Sequence, residues 1–215
     1  MTHKTYKQTS FVKSFSISVS FTLLLLMVRI TKTGSFFYLF LVWNLFLACI
    51  PYVITILLAH FNSKRLLFWF GFFVWLVFLP NAPYILTDIQ HIRLSTLQSV
   101  WFDVLLILSF AFNGMIIGFA SLQIMQKLLR ERLSKQTINI ITYIILFLCG
   151  FGIYLGRVLR WNSWDIIQNP AGILSDILKR ILFPIQHINT WTFTVGFGGF
   201  LIITYQLIQF YQEKR

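Results

Sequence analysis

The chain reads as an all-α, polytopic membrane protein with about six transmembrane helices and one short interfacial helix in its last long loop. Three observations carry this reading. Of 215 residues, 57% are hydrophobic and only 11% are charged, a balance that no soluble domain of this size needs. The apolar residues fall into long windows, each near the roughly 20 residues that cross about 30 Å of hydrocarbon. Lys and Arg are spread unevenly over the loops between those windows, as multi-pass chains require.

The first window, Phe11 to Val28, follows Lys4, Lys7 and Lys13 and so resembles a secretory signal. No small-residue cleavage site comes after it, and the chain continues through Arg29-Ile-Thr-Lys32, so an uncleaved helix is expected. The second window is Phe36 to Phe61. The third, Leu66 to Leu86, is the least regular, because Pro80 and Pro83 each remove a backbone donor. It is expected to break at its outer end and run into an interfacial segment. The fourth and fifth, Trp101 to Met125 and Ile138 to Leu159, carry Gly114-Met-Ile-Ile-Gly118 and Gly152-Ile-Tyr-Leu-Gly156, small-xxx-small ridges that let helix backbones approach. The sixth is Trp191 to Tyr211. Cys49 and Cys149 lie inside spans and read as small packing residues. Asn44 and Asn113, also inside spans, are expected to bond to neighbouring helices.

Between the fifth and sixth spans, Asn169-Pro170 has the form of a helix cap followed by proline at the first helical position. The next residues put Ile173, Leu174, Ile177, Leu178, Ile181 and Leu182 on one side and Ser175, Asp176, Lys179 and Arg180 on the other. A helix near residues 170–183, too short to cross, is therefore expected to lie in the interface plane until Pro184. Trp161, Trp164 and Trp191 flank it as an aromatic belt would.

A formal charge of +12 would suggest nucleic acid in a soluble protein, but here the distribution matters and no nucleic-acid partner is expected. One side holds Lys4, Lys7, Lys13, Lys64, Arg65, Lys127, Arg130, Arg132, Lys135, Lys214 and Arg215. The other holds Arg29, Lys32, Arg93, Arg157, Arg160, Lys179 and Arg180, four of them in the one long loop where the rule counts least. Both termini are thus expected in the cytoplasm of a cell-membrane protein, with the lipid bilayer as its first partner. Asp88, Asp103, Asp165 and Asp176 then all face out.

Two polar blocks stand at the ends of apolar runs on that outer side. One is Pro80-Asn81-Ala82-Pro83-Tyr84-Ile85-Leu86-Thr87-Asp88 followed by His91; the other is Arg157-Val-Leu-Arg160-Trp161-Asn162-Ser163-Trp164-Asp165. A carboxylate at the end of a span is costly unless something uses it. Together with Phe78-Leu79, Trp101-Phe102-Asp103 and Gly152-Ile-Tyr-Leu-Gly156, these blocks resemble the bacterial membrane family catalogued as domain of unknown function 1361. The resemblance implies that the blocks are the family's signature and assigns them no activity.

Asp88 and His91, spaced i, i+3, share a face if Pro83 starts a short helix, and they are the candidate acid/base pair. Asp103 and Asp165 could join them as a set of carboxylates and imidazole for a divalent cation, although no H-E-x-x-H-type motif supports a metal and no cofactor is indicated. The same residues equally fit an ion-pair lock, Asp88 with Arg157 or Arg160, or direct substrate binding. Arg157, Arg160, Trp161 and Trp164, at offsets of three, four and seven, fall on one helix face, where guanidinium forks beside aromatic rings match an anionic or phosphorylated lipid. Asn81, Asn162 and Asp165 complete the candidate binding set. Three classes follow: a protein that binds or acts on an anionic lipid or lipid-linked substrate, a non-catalytic subunit of a membrane complex, and, least favoured because no duplicated halves are visible, a transporter.

Overall fold

The computed structural model describes residues 3–60, 65–94 and 100–213, and among them every regular element is helical. Lys64, Lys214 and Arg215 of the charge count, and Phe61 at the end of the second window, lie outside the described residues. Six stretches are long and apolar enough to cross a membrane: Thr9–Thr33, Phe37–His60, Arg65–Ile92, Val100–Leu129, Lys135–Arg157 and Ile188–Gln212. The chain is a multi-pass, all-α membrane protein.

Helix α1 (His3–Thr33) ends where Gly34 turns left-handed at φ +64° and returns its N–H to the Ile30 carbonyl at 2.8 Å. It lies at the periphery, with Ile17, Phe21, Leu24 and Met27 exposed, and docks through Asn113 Nδ2, which donates to Thr22 Oγ1 at 2.9 Å. A 3-10 turn, Phe37–Leu39, leads into α2 (Phe40–His60), which packs along α5 (Val100–Leu129). The long α5 is the axis of the molecule. Its first half closes one apolar core with α1, α2, Ala82 and Ile85, and its second half closes another with residues of Arg65–Phe78, Lys135–Arg157 and Ile188–Glu213.

Helix α3 (Arg65–Phe78) stops before Pro80, and the chain continues as the single turn α4 (Asn81–Tyr84) and a 3-10 stretch, Ile85–Leu94. An interfacial segment was expected here, but Ala82 and Ile85 are fully buried and Asp88 is 1% exposed. Glycines explain the difference. A Cβ on Gly114 would stand 2.5 Å from the Ala82 carbonyl oxygen, and one on Gly118 2.7 Å from Ala82 Cβ. On the other side, a Cβ on Gly152 would meet Pro80 Cγ at 2.6 Å, and one on Gly156 would meet Tyr84 Cε2 at 3.0 Å. Both small-residue ridges therefore receive the Pro80–Tyr84 turn, which sinks between α5 and α6.

Helix α6 (Lys135–Arg157), capped by Ser134 Oγ accepting from the Thr137 N–H at 3.2 Å, pairs lengthwise with α9 (Ile188–Glu213). Between them come α7 (Asp165–Gln168) and α8 (Pro170–Leu182), whose N-cap Asn169 accepts from the Gly172 N–H at 3.0 Å. Helix α8 departs from its two-sided pattern at one residue. Arg180, assigned above to the polar side, is 7% exposed and shares the inward face with Ile173, while Leu174, Leu178, Ile181 and Leu182 are exposed. Bonds from Arg180 to Asp176 and from Trp191 Nε1 to the Arg180 carbonyl hold that side chain inward.

Candidate functional site

Three polar clusters gather at the end of the bundle where α1, α3 and α6 finish and α2, α5 and α9 begin. The central one joins the two signature blocks. Breaking α3 at Pro80 carries Asp88 back into the bundle, and the last turn of α6 brings Arg157 to it. Arg157 Nη2 donates to Asp88 Oδ1 in a close ion pair, its Nε donates to Thr87 Oγ1 at 2.8 Å, and its Nη1 lies 3.5 Å from His91 Nε2. Since guanidinium nitrogens only donate, that geometry makes His91 Nε2 the acceptor. The guanidinium also lies 4.2 Å from the centroid of the Tyr84 ring. The other Asp88 oxygen, Oδ2, accepts from Asn44 Nδ2 at 2.9 Å. With Asp88 at 1% and Arg157 at 12% exposure, this is a buried and well-compensated pair. His91, 28% exposed and 3.9 Å from the carboxylate, is wedged edge-on against Phe37 and Phe40.

Asp103 is not part of that cluster. It receives Arg29 Nε in a close contact and Arg29 Nη2 at 3.0 Å, and Tyr38 OH donates to it at 3.2 Å. This second buried pair ties the end of α1 to the starts of α2 and α5. Arg29 and Tyr38 were not singled out in the sequence; the available signal was an Arg closing an otherwise apolar span. Asn44 and Thr87 were missed as partners of the central pair for a similar reason, since neither carries charge.

Asp165 stays within its own loop, accepting from the Asn162 backbone N–H at 2.6 Å and from Asn162 Nδ2 at 3.2 Å. The set of Asp88, His91, Asp103 and Asp165 is thus not assembled, and no group of three such ligands occurs among the described residues. The shared helical face of Arg157, Arg160, Trp161 and Trp164 is also corrected. Helix α6 ends at Arg157, Arg160 adopts φ +61°, and the Trp161 N–H returns to the Leu155 carbonyl at 3.0 Å, reversing the chain. Arg157 points into the bundle, whereas Arg160 is exposed.

The third cluster holds α8 in place. Trp161 Nε1 donates to Asp176 Oδ2 at 2.9 Å, Arg180 Nη1 donates to the Asp176 carbonyl at 2.7 Å, and Trp191 Nε1 donates to the Arg180 carbonyl at 3.1 Å. Held there, α8 roofs a cavity of about 770 Å³ bounded by α2, α3 and α6. Its walls are mainly apolar, with Leu76, Phe147, Phe151 and Ile177 among them. Its polar groups sit around the 80–84 turn and the reversal after α6: Asn44, Asn81, Asn162 and Ser163, with Trp43, Trp161 and Trp164. Asn44 and Tyr84 belong to both structures, lining the cavity on one side and touching the Asp88–Arg157 pair on the other.

The model of the family described as protein of unknown function (DUF1361) matches residues 43–204, which take in the cavity and the central ion pair but leave out α1 and Arg29. No curated protein and no solved structure matches the chain.

Proposed function

We propose that this chain, which belongs to the DUF1361 family, binds a lipid or lipid-linked molecule at the outer face of the cell membrane, its chain in the cavity beneath α8 and its polar end at the rim. One observation carries the reading: a mainly apolar cavity of about 770 Å³ meets a few fixed polar groups at one end. That is the composition of a ligand site, and the volume falls within the roughly 300–1,000 Å³ usual for one. The outward orientation is supported by the excess of Lys and Arg on the opposite loops, and both termini are then cytoplasmic.

Within this reading the rim supplies Asn81, Asn162, Trp161 and Trp164. Arg160, exposed and without a carboxylate partner among the described residues, provides positive charge for an anionic or phosphorylated group. Asp88 is committed to Arg157 and Asn44, so it positions Tyr84 and Asn44 behind the cavity; His91, the more exposed of the candidate pair, is the group with access to exchange a proton. A second reading, a non-catalytic subunit locked by its ion pairs, is favoured by the complete satisfaction of the Asp88–Arg157 pair.

Native mass spectrometry of the protein released from membrane-derived nanodiscs tests the choice. A retained lipid adduct that disappears in Leu148→Trp, which fills the cavity from α6, supports lipid binding. Identical lipid-free spectra for the native chain and the variant leave the locked-subunit reading.

A further inference from the structure

Three carboxamides in the cavity lining, Asn44, Asn81 and Asn162, are each held in one orientation by the protein. Asn44 Nδ2 donates to the Asp88 carboxylate at 2.9 Å, Asn81 Nδ2 donates to the Phe78 carbonyl at 2.9 Å and to Ser163 Oγ at 3.0 Å, and Asn162 Nδ2 donates to the Asp165 carboxylate at 3.2 Å. A carboxylate or backbone carbonyl can only accept, so each carboxamide has one permitted orientation. In all three the NH2 is used by the protein and the Oδ1 has no hydrogen bond among the described residues. Neither the Asn44 nor the Asn81 oxygen is a buried unsatisfied atom, and Asn162 is an exposed residue. The lining therefore includes three carboxamides held in one orientation each, together with the potential donors Trp43 Nε1, Trp164 Nε1 and Tyr84 OH, and no charged side chain is among the residues that line it.

Beside these acceptors stand Trp43 and Trp164, their ring centroids 6.5 Å apart at an interplanar angle of 60°, with Trp161 nearby in the same wall. Flat apolar rings next to fixed oxygens suit a molecule with C–H faces and hydroxyl donors at its edges. A bare alkyl headgroup would leave the oxygens unpaired.

Resting on the lipid-binding reading above, we propose that the cavity is a site for a glycosylated lipid: the sugar hydroxyls donate to Asn44, Asn81 and Asn162 Oδ1, the ring lies against the tryptophans, and the apolar chain runs beneath α8.

The test titrates purified protein, in a polyoxyethylene detergent, with dodecyl β-glucoside and with the same compound carrying every sugar hydroxyl O-methylated, counting adducts by native mass spectrometry. The free glucoside is expected to bind at least about tenfold more tightly, since methylation removes all four hydroxyl donors, including the three that would pair with the carboxamide oxygens. Asn162→Ala keeps the backbone bond to Asp165 and should weaken glucoside binding about three- to tenfold while leaving the methylated compound unaffected. Asn81→Ala should do the same, and a thermal melt checks that each variant is folded. Equal binding of the two compounds, displaced alike by Leu148→Trp, overturns the sugar assignment and leaves the cavity a chain-binding site. Binding of neither compound overturns the lipid-binding reading itself.

Discussion

Asp88→Asn removes the charge from a carboxylate that is 1% exposed and leaves Arg157, 12% exposed, beside Thr87, His91 and the face of Tyr84 without its counter-charge. Breaking a buried pair by deleting one partner costs about 3–5 kcal/mol, against about 1 kcal/mol or less for a solvent-exposed pair. Arg157→Gln should be similarly costly, because it strands Asp88 with Asn44 as its remaining donor. In the double variant neither charge remains to be stranded, so the losses should fall short of their sum by about 2–3 kcal/mol. Arg160→Gln is the internal control: an exposed side chain outside the cluster should change stability by no more than about 0.5 kcal/mol. Reversible unfolding in mixed micelles with a rising fraction of anionic detergent gives all four values and that of the Asp88→Asn, Arg160→Gln double variant, which closes the second cycle. Additive losses, each near 1 kcal/mol, would mean that Asp88 and Arg157 do not form a buried unit, and a large coupling of Asp88 to Arg160 would refute the chain reversal after α6.

Gly114→Val places a side chain 2.5 Å from the Ala82 carbonyl and should cost more than about 4 kcal/mol or prevent accumulation, while Gly196→Ala, with open space around it, should be tolerated; equal thermal stability of the two variants would refute the seating of the Pro80–Tyr84 turn. Asp103→Asn should lower stability by about 3–5 kcal/mol and loosen α1, read as faster hydrogen exchange over residues 20–33. A cysteine introduced at Asn169 should react with an impermeant thiol reagent in intact cells and one at Ser134 only after lysis, and the reverse pattern would invert the proposed orientation. Spin labels at Leu178 and Leu182 should report lipid and a label at Lys179 water; uniform water exposure would show that α8 does not rest on the bilayer.

Composition and window length alone determined the fold class, because crossing hydrocarbon demands about 20 apolar residues whatever surrounds them. The order of the signature blocks likewise sufficed to suggest the family that the match over residues 43–204 establishes. Pairings were another matter. Whether Asp88 would meet Arg157 or Arg160 depended on where α6 ends, and only the left-handed turn at Arg160 separates the two residues. Asp103 found Arg29 across 74 positions, a distance over which no local pattern acts. The glycine ridges were legible as sites of close approach, but what approaches them is the Pro80–Tyr84 turn, a choice made when α5 and α6 close on it together. The setting of α8 shows the same division. Its periodicity marked an amphipathic helix, yet the bonds of Asp176 and Arg180 with Trp161 and Trp191, residues outside the helix, draw Arg180 inward and hold α8 over the cavity. Local sequence fixes periods and caps; which polar groups satisfy one another inside a membrane is decided only when all the helices are in place, since each buried donor and acceptor must find a partner among them.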